Sequence, residues 1–238
     1  MALPAINHPI HEVYLKSLGT MVKFRPFLVK EEKLLLVAKE SSDISDIKTA
    51  IKQVIQNCCL ADIVVDTLPL FDIEMFFVHL RARSIGESAK ISFTCKNVVE
   101  EVECGHVTDY TIDLNKVQYI IPENHNDIIP ITDTVGVKLK YPTISVVKNT
   151  TLDPYEETLS ILSDNLDYIY DSESIYKRSD LTREEIQTFF DQMTIDQVSA
   201  IRNFFRNSPK VVLKEEIVCN KCKFQHEVVV ENLHGFFS

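Results

Sequence analysis

Val211-Val-Leu-Lys-Glu-Glu-Ile-Val-Cys-Asn-Lys-Cys-Lys-Phe-Gln-His-Glu-Val-Val-Val230 carries two apolar runs separated by Cys219-Asn-Lys-Cys222. The runs read as the strands of a hairpin and the cysteines as its turn. A Cys-x-x-Cys on a tight turn points both thiolates at one spot, which is half of a structural zinc knuckle; tetrahedral zinc needs two further ligands. The other comparable setting is Ile91-Ser-Phe-Thr-Cys95, a strand-like run that again ends in cysteine, with Cys104-Gly-His106 following it. The expected centre is one structural zinc held by Cys95, Cys104, Cys219 and Cys222, with His106 and His226 as alternative ligands. Four protein ligands would close the coordination sphere, so such a metal staples the β segment to the C-terminal hairpin and leaves no position for a substrate. A competing reading stays open: Cys219 and Cys222 as a buried, metal-free thiol pair, because the spacing from Cys95 to Cys104 is not that of a second Cys-x-x-Cys. Context argues against a thiol oxidoreductase, whose pair starts a helix; no helical pattern begins at Cys222.

Outward from that hairpin, the chain alternates between two periods. Residues 11–27 alternate apolar and polar positions around Leu18-Gly-Thr20 and read as a hairpin. Three helices are expected next: residues 29–40, residues 43–59 with Ile44, Ile47, Ile51, Val54, Ile55 and Cys58 on one stripe, and residues 70–85 opened by Pro69. Beyond Gly86 the period falls to two, which indicates strands at residues 90–94, 107–114, 127–131 and 135–141. Tyr155, Leu159, Leu162, Leu166 and Ile169 return to helical spacing, with Asp153-Pro154 as its start. Thr182-Arg-Glu-Glu185 and Thr194-Ile-Asp-Gln197 are two capping boxes in close succession. The expected fold class is therefore α+β, with helical N-terminal and C-terminal segments, a central antiparallel β insert and a C-terminal Cys-x-x-Cys β-hairpin. Its divisions fall at residues 1–86 (hairpin plus helices), 87–148 (β insert) and 149–238 (helical segment with the zinc-knuckle-like hairpin), in one or two compact units.

Composition narrows the function. A chain of 238 residues that is 45% hydrophobic, with Gly 5 and Pro 9, is a packed globule and not a disordered segment. Its net charge of −10 opposes a phosphate backbone, so partners are expected to be proteins and not nucleic acid. No stretch has the length or apolarity of a membrane span, and the N-terminus lacks the pattern of a secretory signal. Six cysteines are too few for a disulfide scaffold in a chain this long. No Gly-rich phosphate loop, nucleophile elbow or metalloprotease helix is present, so no catalytic and no organic-cofactor residues are assigned. The carboxylate pairs Glu100-Glu101, Glu156-Glu157 and Glu184-Glu185 fit solvated or first-turn helical positions. Phe76-Phe77, Phe189-Phe190, Phe204-Phe205 and Phe236-Phe237 fit core positions with some aromatic surface left for contacts.

Several strings, taken jointly in order, carry a resemblance. Phe24-Arg-Pro-Phe-Leu-Val-Lys-Glu-Glu-Lys-Leu-Leu-Leu36, Leu68-Pro-Leu-Phe-Asp-Ile-Glu74, Leu80-Arg-Ala-Arg-Ser-Ile-Gly86, Lys140-Tyr-Pro142, Ile201-Arg-Asn-Phe-Phe205 and the ending Leu233-His-Gly-Phe-Phe237 are similar to the baseplate hub proteins of T-even-type contractile-tailed bacteriophages. The resemblance runs nearly end to end. It implies a non-enzymatic structural or assembly component of the tail baseplate hub, bound to other phage tail proteins. Such a protein would stand in the host cytoplasm during assembly and in the virion tail baseplate if retained. In one place the chain departs from what the resemblance implies, a compact cysteine pair in the β insert: here Asn97-Val98 follow Cys95, and the next cysteine is Cys104. The alternative function is a zinc-ribbon adaptor that binds nucleic acid through Lys221 and Lys223, or another regulatory partner.

Overall fold

The computed structural model describes residues 6–41, 43–123, 125–144 and 154–231. It falls into two compact units, one made of Met1–Ile120 with Lys210–Ser238 and the other of Ile121–Pro209.

The first unit opens with the antiparallel hairpin β1 (His11–Leu15) and β2 (Thr20–Phe24), registered from His11↔Phe24 to Leu15↔Thr20. Helices α1 (Val29–Ser41), α2 (Ile44–Cys58) and α3 (Leu70–Ser84) follow. Asp43 caps α2 by accepting the Ser45 amide at 2.7 Å, and α3 begins directly after Pro69. The third helix is buried almost all round, including Phe71, Ile73, Phe76, Phe77 and Leu80, as a helix through the middle of a core must be. It lies against β1 and α2, and the Phe76 ring centroid is 5.4 Å from that of Phe24.

Two buried carboxylates fix this core. Asp72 accepts the Lys16 and Ser17 amides, each at 2.9 Å, the Tyr119 hydroxyl at 2.6 Å and the Ser17 hydroxyl, so it holds the β1–β2 turn onto α3. Glu31, with no exposed surface, pairs with Arg25 at 3.1 Å and accepts the Leu28 amide at 2.9 Å.

Past α3 come the strands β3 (Ser88–Thr94), β4 (Val98–Val99), β5 (Val102–Glu103), β6 (Val107–Asp113) and β7 (Gln118–Ile120). β3 pairs with β6, and β4 with β5.

In the second unit, β8 (Ile128–Pro130), β9 (Gly136–Leu139), α4 (Pro154–Asn165), β10 (Leu166–Tyr170), β11 (Ile175–Lys177), α5 (Arg183–Asp191) and α6 (Ile195–Arg206) enclose one core. The sheet order is β11-β10-β9-β8. Val137, Leu139, Leu162, Ile186, Phe190, Ile201 and Phe204 fill the core. Gly136 stands opposite Tyr170 in the ladder, and a Cβ there would run into the tyrosine ring. Both capping boxes form: Thr182 and Glu185 exchange bonds at 2.8 and 3.2 Å, and Thr194 and Gln197 at 2.8 and 3.3 Å.

The chain then returns to the first unit as β12 (Lys210–Val218) and β13 (Gln225–Glu231), giving the sheet β13-β12-β7.

This corrects the expected fold class. Helical segments do not flank one central β insert. Among the described residues six helices and thirteen strands are interspersed over five small sheets, and the chain closes in strands. The reason is pairing at a distance: β7 finds its partner in β12 and β9 finds one in β10, which no local period reveals. Leu166 and Ile169, spaced as a helix face, lie instead in β10. The helix stops at Asn165, whose side chain donates to the Ile161 carbonyl at 2.8 Å, and the aromatic and β-branched run Leu166-Asp-Tyr-Ile-Tyr170 favours a strand once β9 and β11 flank it. The expected helix start at Asp153 and the string at residues 233–237 lie outside the described residues.

Candidate metal centre

Two hairpins of the first unit end in the same backbone knuckle. The β12–β13 ladder runs to Val218↔Gln225; beyond it the Cys219 amide donates to the Phe224 carbonyl at 2.9 Å and the Lys223 amide to the Cys219 carbonyl at 3.0 Å. The β3–β6 ladder runs to Thr94↔Val107; beyond it the Cys95 amide donates to the His106 carbonyl at 2.9 Å and the Gly105 amide to the Cys95 carbonyl at 3.0 Å. The spacing from Cys95 to Cys104 differs only because residues 98–103 are pushed out as the β4–β5 hairpin. The Cys104 amide closes its base by donating to the Asn97 carbonyl at 2.7 Å. With that excursion set aside, Cys95-Lys-Asn then Cys104 is a Cys-x-x-Cys turn like Cys219-Asn-Lys-Cys222.

The two knuckles face each other. All four sulfur atoms lie within 4.8 Å of one another, with Cys95 to Cys222 at 3.6 Å and Cys104 to Cys219 at 3.9 Å. A tetrahedral ion with metal–sulfur bonds of about 2.3 Å needs sulfur–sulfur edges of about 3.8 Å, whereas a disulfide needs about 2.05 Å. All six cysteines are free. The donor set therefore fits a thiolate-loving ion such as zinc. The hairpins are also tied outside the sulfurs, by the Tyr110 hydroxyl donating to the Val218 carbonyl at 2.6 Å and Lys221 Nζ donating to the Cys104 carbonyl at 3.3 Å.

The local field prepares this cluster for a cation. The Phe224 amide, directed at Cys222, is the main influence that draws its thiol down to about 6, and the amides of Cys222 and Lys221 lower that of Cys219. Burial pushes Cys95 up to about 12, since a further negative charge in this crowd goes unbalanced. A divalent ion removes that penalty, because its ligands bind as thiolates.

All four cysteines singled out in the sequence meet here. His226 stands beside the cluster, its Nε2 at 3.1 Å from the Cys95 sulfur, between the rings of Phe93 and Phe224 at 4.9 and 4.8 Å. His226 is thus within hydrogen-bond reach of the Cys95 sulfur and lies outside the set of four. His106 serves the knuckle through its main-chain carbonyl. Asn97, which the sequence did not single out, directs its side-chain nitrogen at Cys222 at 3.6 Å. Its only sequence signal is its place two residues after Cys95, matching Lys221 after Cys219.

Residues 8–238 match the family described as T4 bacteriophage base plate protein. The chain belongs to that family. No curated protein and no solved structure matches it. Membership makes it a structural protein of the phage tail baseplate that meets other tail proteins. Among the described residues no helix is long and apolar enough to cross a membrane.

Proposed function

We propose that this chain is a structural or assembly component of the baseplate hub, working through protein surfaces and without catalysis. Family membership over residues 8–238 carries the reading. Within it, one zinc ion held by Cys95, Cys104, Cys219 and Cys222 staples the β3–β6 hairpin to the β12–β13 hairpin. The cluster of four sulfurs supports that role, and four protein ligands leave no site for a substrate. The protein acts in the host cytoplasm during assembly and stays with the tail baseplate if it is retained.

Co-expression with the other hub proteins of the same tail tests the reading. A defined complex on size-exclusion chromatography is expected, and a chain that stays unbound with every one of them overturns the hub role. The nucleic-acid adaptor has only Lys221 and Lys223 beside the knuckle in its favour, against a net charge of −10. A salt-dependent affinity for DNA or RNA would revive it.

A further inference from the structure

The β4–β5 excursion is not needed to build its knuckle, since the Cys219/Cys222 knuckle closes with the same bonds and no insert. What it adds is a surface. Val98, Val99 and Val102 are 61%, 46% and 70% exposed on a finger six residues long, an apolar group that folding leaves uncovered. Its two-residue turn is Glu100-Glu101, with φ of 50° and 64°. Hairpin turns with φ above zero at both central positions strongly prefer asparagine and glycine. Two glutamates there, with Glu103 behind them, put negative charge at the tip where local preference would place neither residue. Local rules are broken in this way at functional or strained sites.

The same unit carries the complement. A groove of about 200 Å³ runs between α1 and the C-terminal half of α3, lined by Leu36, Phe77 and Ile85 and by the cations Lys39 and Arg81, with Glu32 as its one acid. Leu36 and Ile85 are exposed. Arg81 is partly buried, and among the described residues its guanidinium has neither a hydrogen-bond nor an ion-pair partner. A cation partly out of water with no carboxylate paired to it favours one brought by a partner.

We propose that the β4–β5 finger of one copy docks in the α1–α3 groove of a second copy, its valines on Leu36, Phe77 and Ile85 and a turn glutamate on Arg81. Finger and groove are different surfaces, so the contact is heterologous and propagates from copy to copy until it closes as a ring or runs on. The interface is small, so association is weak and depends on concentration. This self-docking does not rest on the hub reading.

Sedimentation velocity of the whole chain across a concentration series at low salt tests it. Wild type is expected to form concentration-dependent oligomers. Two variants are expected to sediment as monomers: one with residues 98–103 removed, so that Asn97 joins Cys104 as in the other knuckle, and Arg81→Glu, which should weaken association at least about tenfold. Mixed in equal amounts, they leave one intact finger and one intact groove between them, so a heterodimer that grows no further is expected. Glu100→Arg with Glu101→Arg should restore assembly in the Arg81→Glu background. Circular dichroism establishes that each variant is folded; if either fails, Val98→Ser with Val102→Ser and Arg81→Gln take their places. A wild type that stays monomeric at its highest soluble concentration overturns the proposal, as do oligomers unchanged in both folded variants. A groove filled by a segment of another protein would give the first of these results.

Discussion

Gly105 and Lys223 occupy the same place in two knuckles: each has a left-handed backbone, with φ of 60° and 62°, and each donates its amide at 3.0 Å to the first cysteine of its pair. The geometry suits glycine and strains lysine. A left-handed conformation costs a non-glycine residue about 1–2 kcal/mol, while glycine's greater freedom when unfolded offsets about 0.5–1 kcal/mol of the gain. Lys223→Gly is expected to stabilise the chain by up to about 1 kcal/mol and Gly105→Ala to destabilise it by about 1 kcal/mol. Guanidinium denaturation of both variants measures the pair of shifts.

Purified protein is expected to carry one equivalent of zinc, and single Cys→Ser changes at Cys95, Cys104, Cys219 or Cys222 to reduce it sharply, with a lower melting temperature. A chelator should lower the wild-type melting temperature in the same way. Zinc content unchanged in both Cys219→Ser and Cys222→Ser removes the site.

His226→Ala separates a ligand from its supporting donor. With Nε2 held 3.1 Å from the Cys95 sulfur, the imidazole is placed to orient that ligand. The variant should keep the zinc stoichiometry and bind the ion about 10–100-fold more weakly, by competition titration. Loss of the stoichiometry itself would make His226 a ligand.

Glu31 ties stability to pH. Burial alone would raise its carboxyl, but the Arg25 hydrogen bond and the Leu28 amide outweigh that and hold it below the usual glutamate value of 4.5. A depressed folded value means the contribution is fully present above the unfolded value and is lost as pH falls through the folded one. Glu31→Gln leaves Arg25 without its anion, at about 3–5 kcal/mol for a broken buried pair. Its stability should fall less steeply than that of wild type below pH 4.5, which melting curves across an acid series would show.

Asp72→Ala strips the acceptor from the Lys16 and Ser17 amides and from Tyr119. The Tyr119 hydroxyl keeps the Tyr14 carbonyl at 3.2 Å and the two amides lie in an exposed turn, so the variant should lose about 2–3 kcal/mol, whereas Tyr119→Phe should lose about 1 kcal/mol. Equal losses from the two would mean that the tyrosine and not the carboxylate anchors the turn.

Features set by neighbours in sequence were legible before the structure. Thr182 with Glu185 and Thr194 with Gln197 are three residues apart, and their reciprocal bonds follow from helix geometry alone. Cys219 and Cys222 were legible for the same reason. Features set by distant partners were not. Leu166 and Ile169 kept helical spacing yet joined a strand because β9 and β11 stood on either side. Cys95 and Cys104 looked too far apart for a knuckle, because the bond from Cys104 to Asn97 that shortens the turn has no mark in the spelling of the chain. Asp72 reads as an ordinary first-turn acid, and only the tertiary fold turns it into a buried acceptor.

The pairing of Ile120 with Lys210 in the β7–β12 ladder places side by side the two points where the chain leaves and re-enters the first unit. Everything between them is a parenthesis in the sequence. During synthesis Cys95 and Cys104 emerge long before Cys219 and Cys222, Cys222 lying 127 positions after Cys95. A nascent or truncated chain thus holds half of the sulfur cluster and an unfinished sheet. Completing that cluster reports that translation has passed the whole intervening unit, so the four sulfurs meet only in a chain made beyond Cys222.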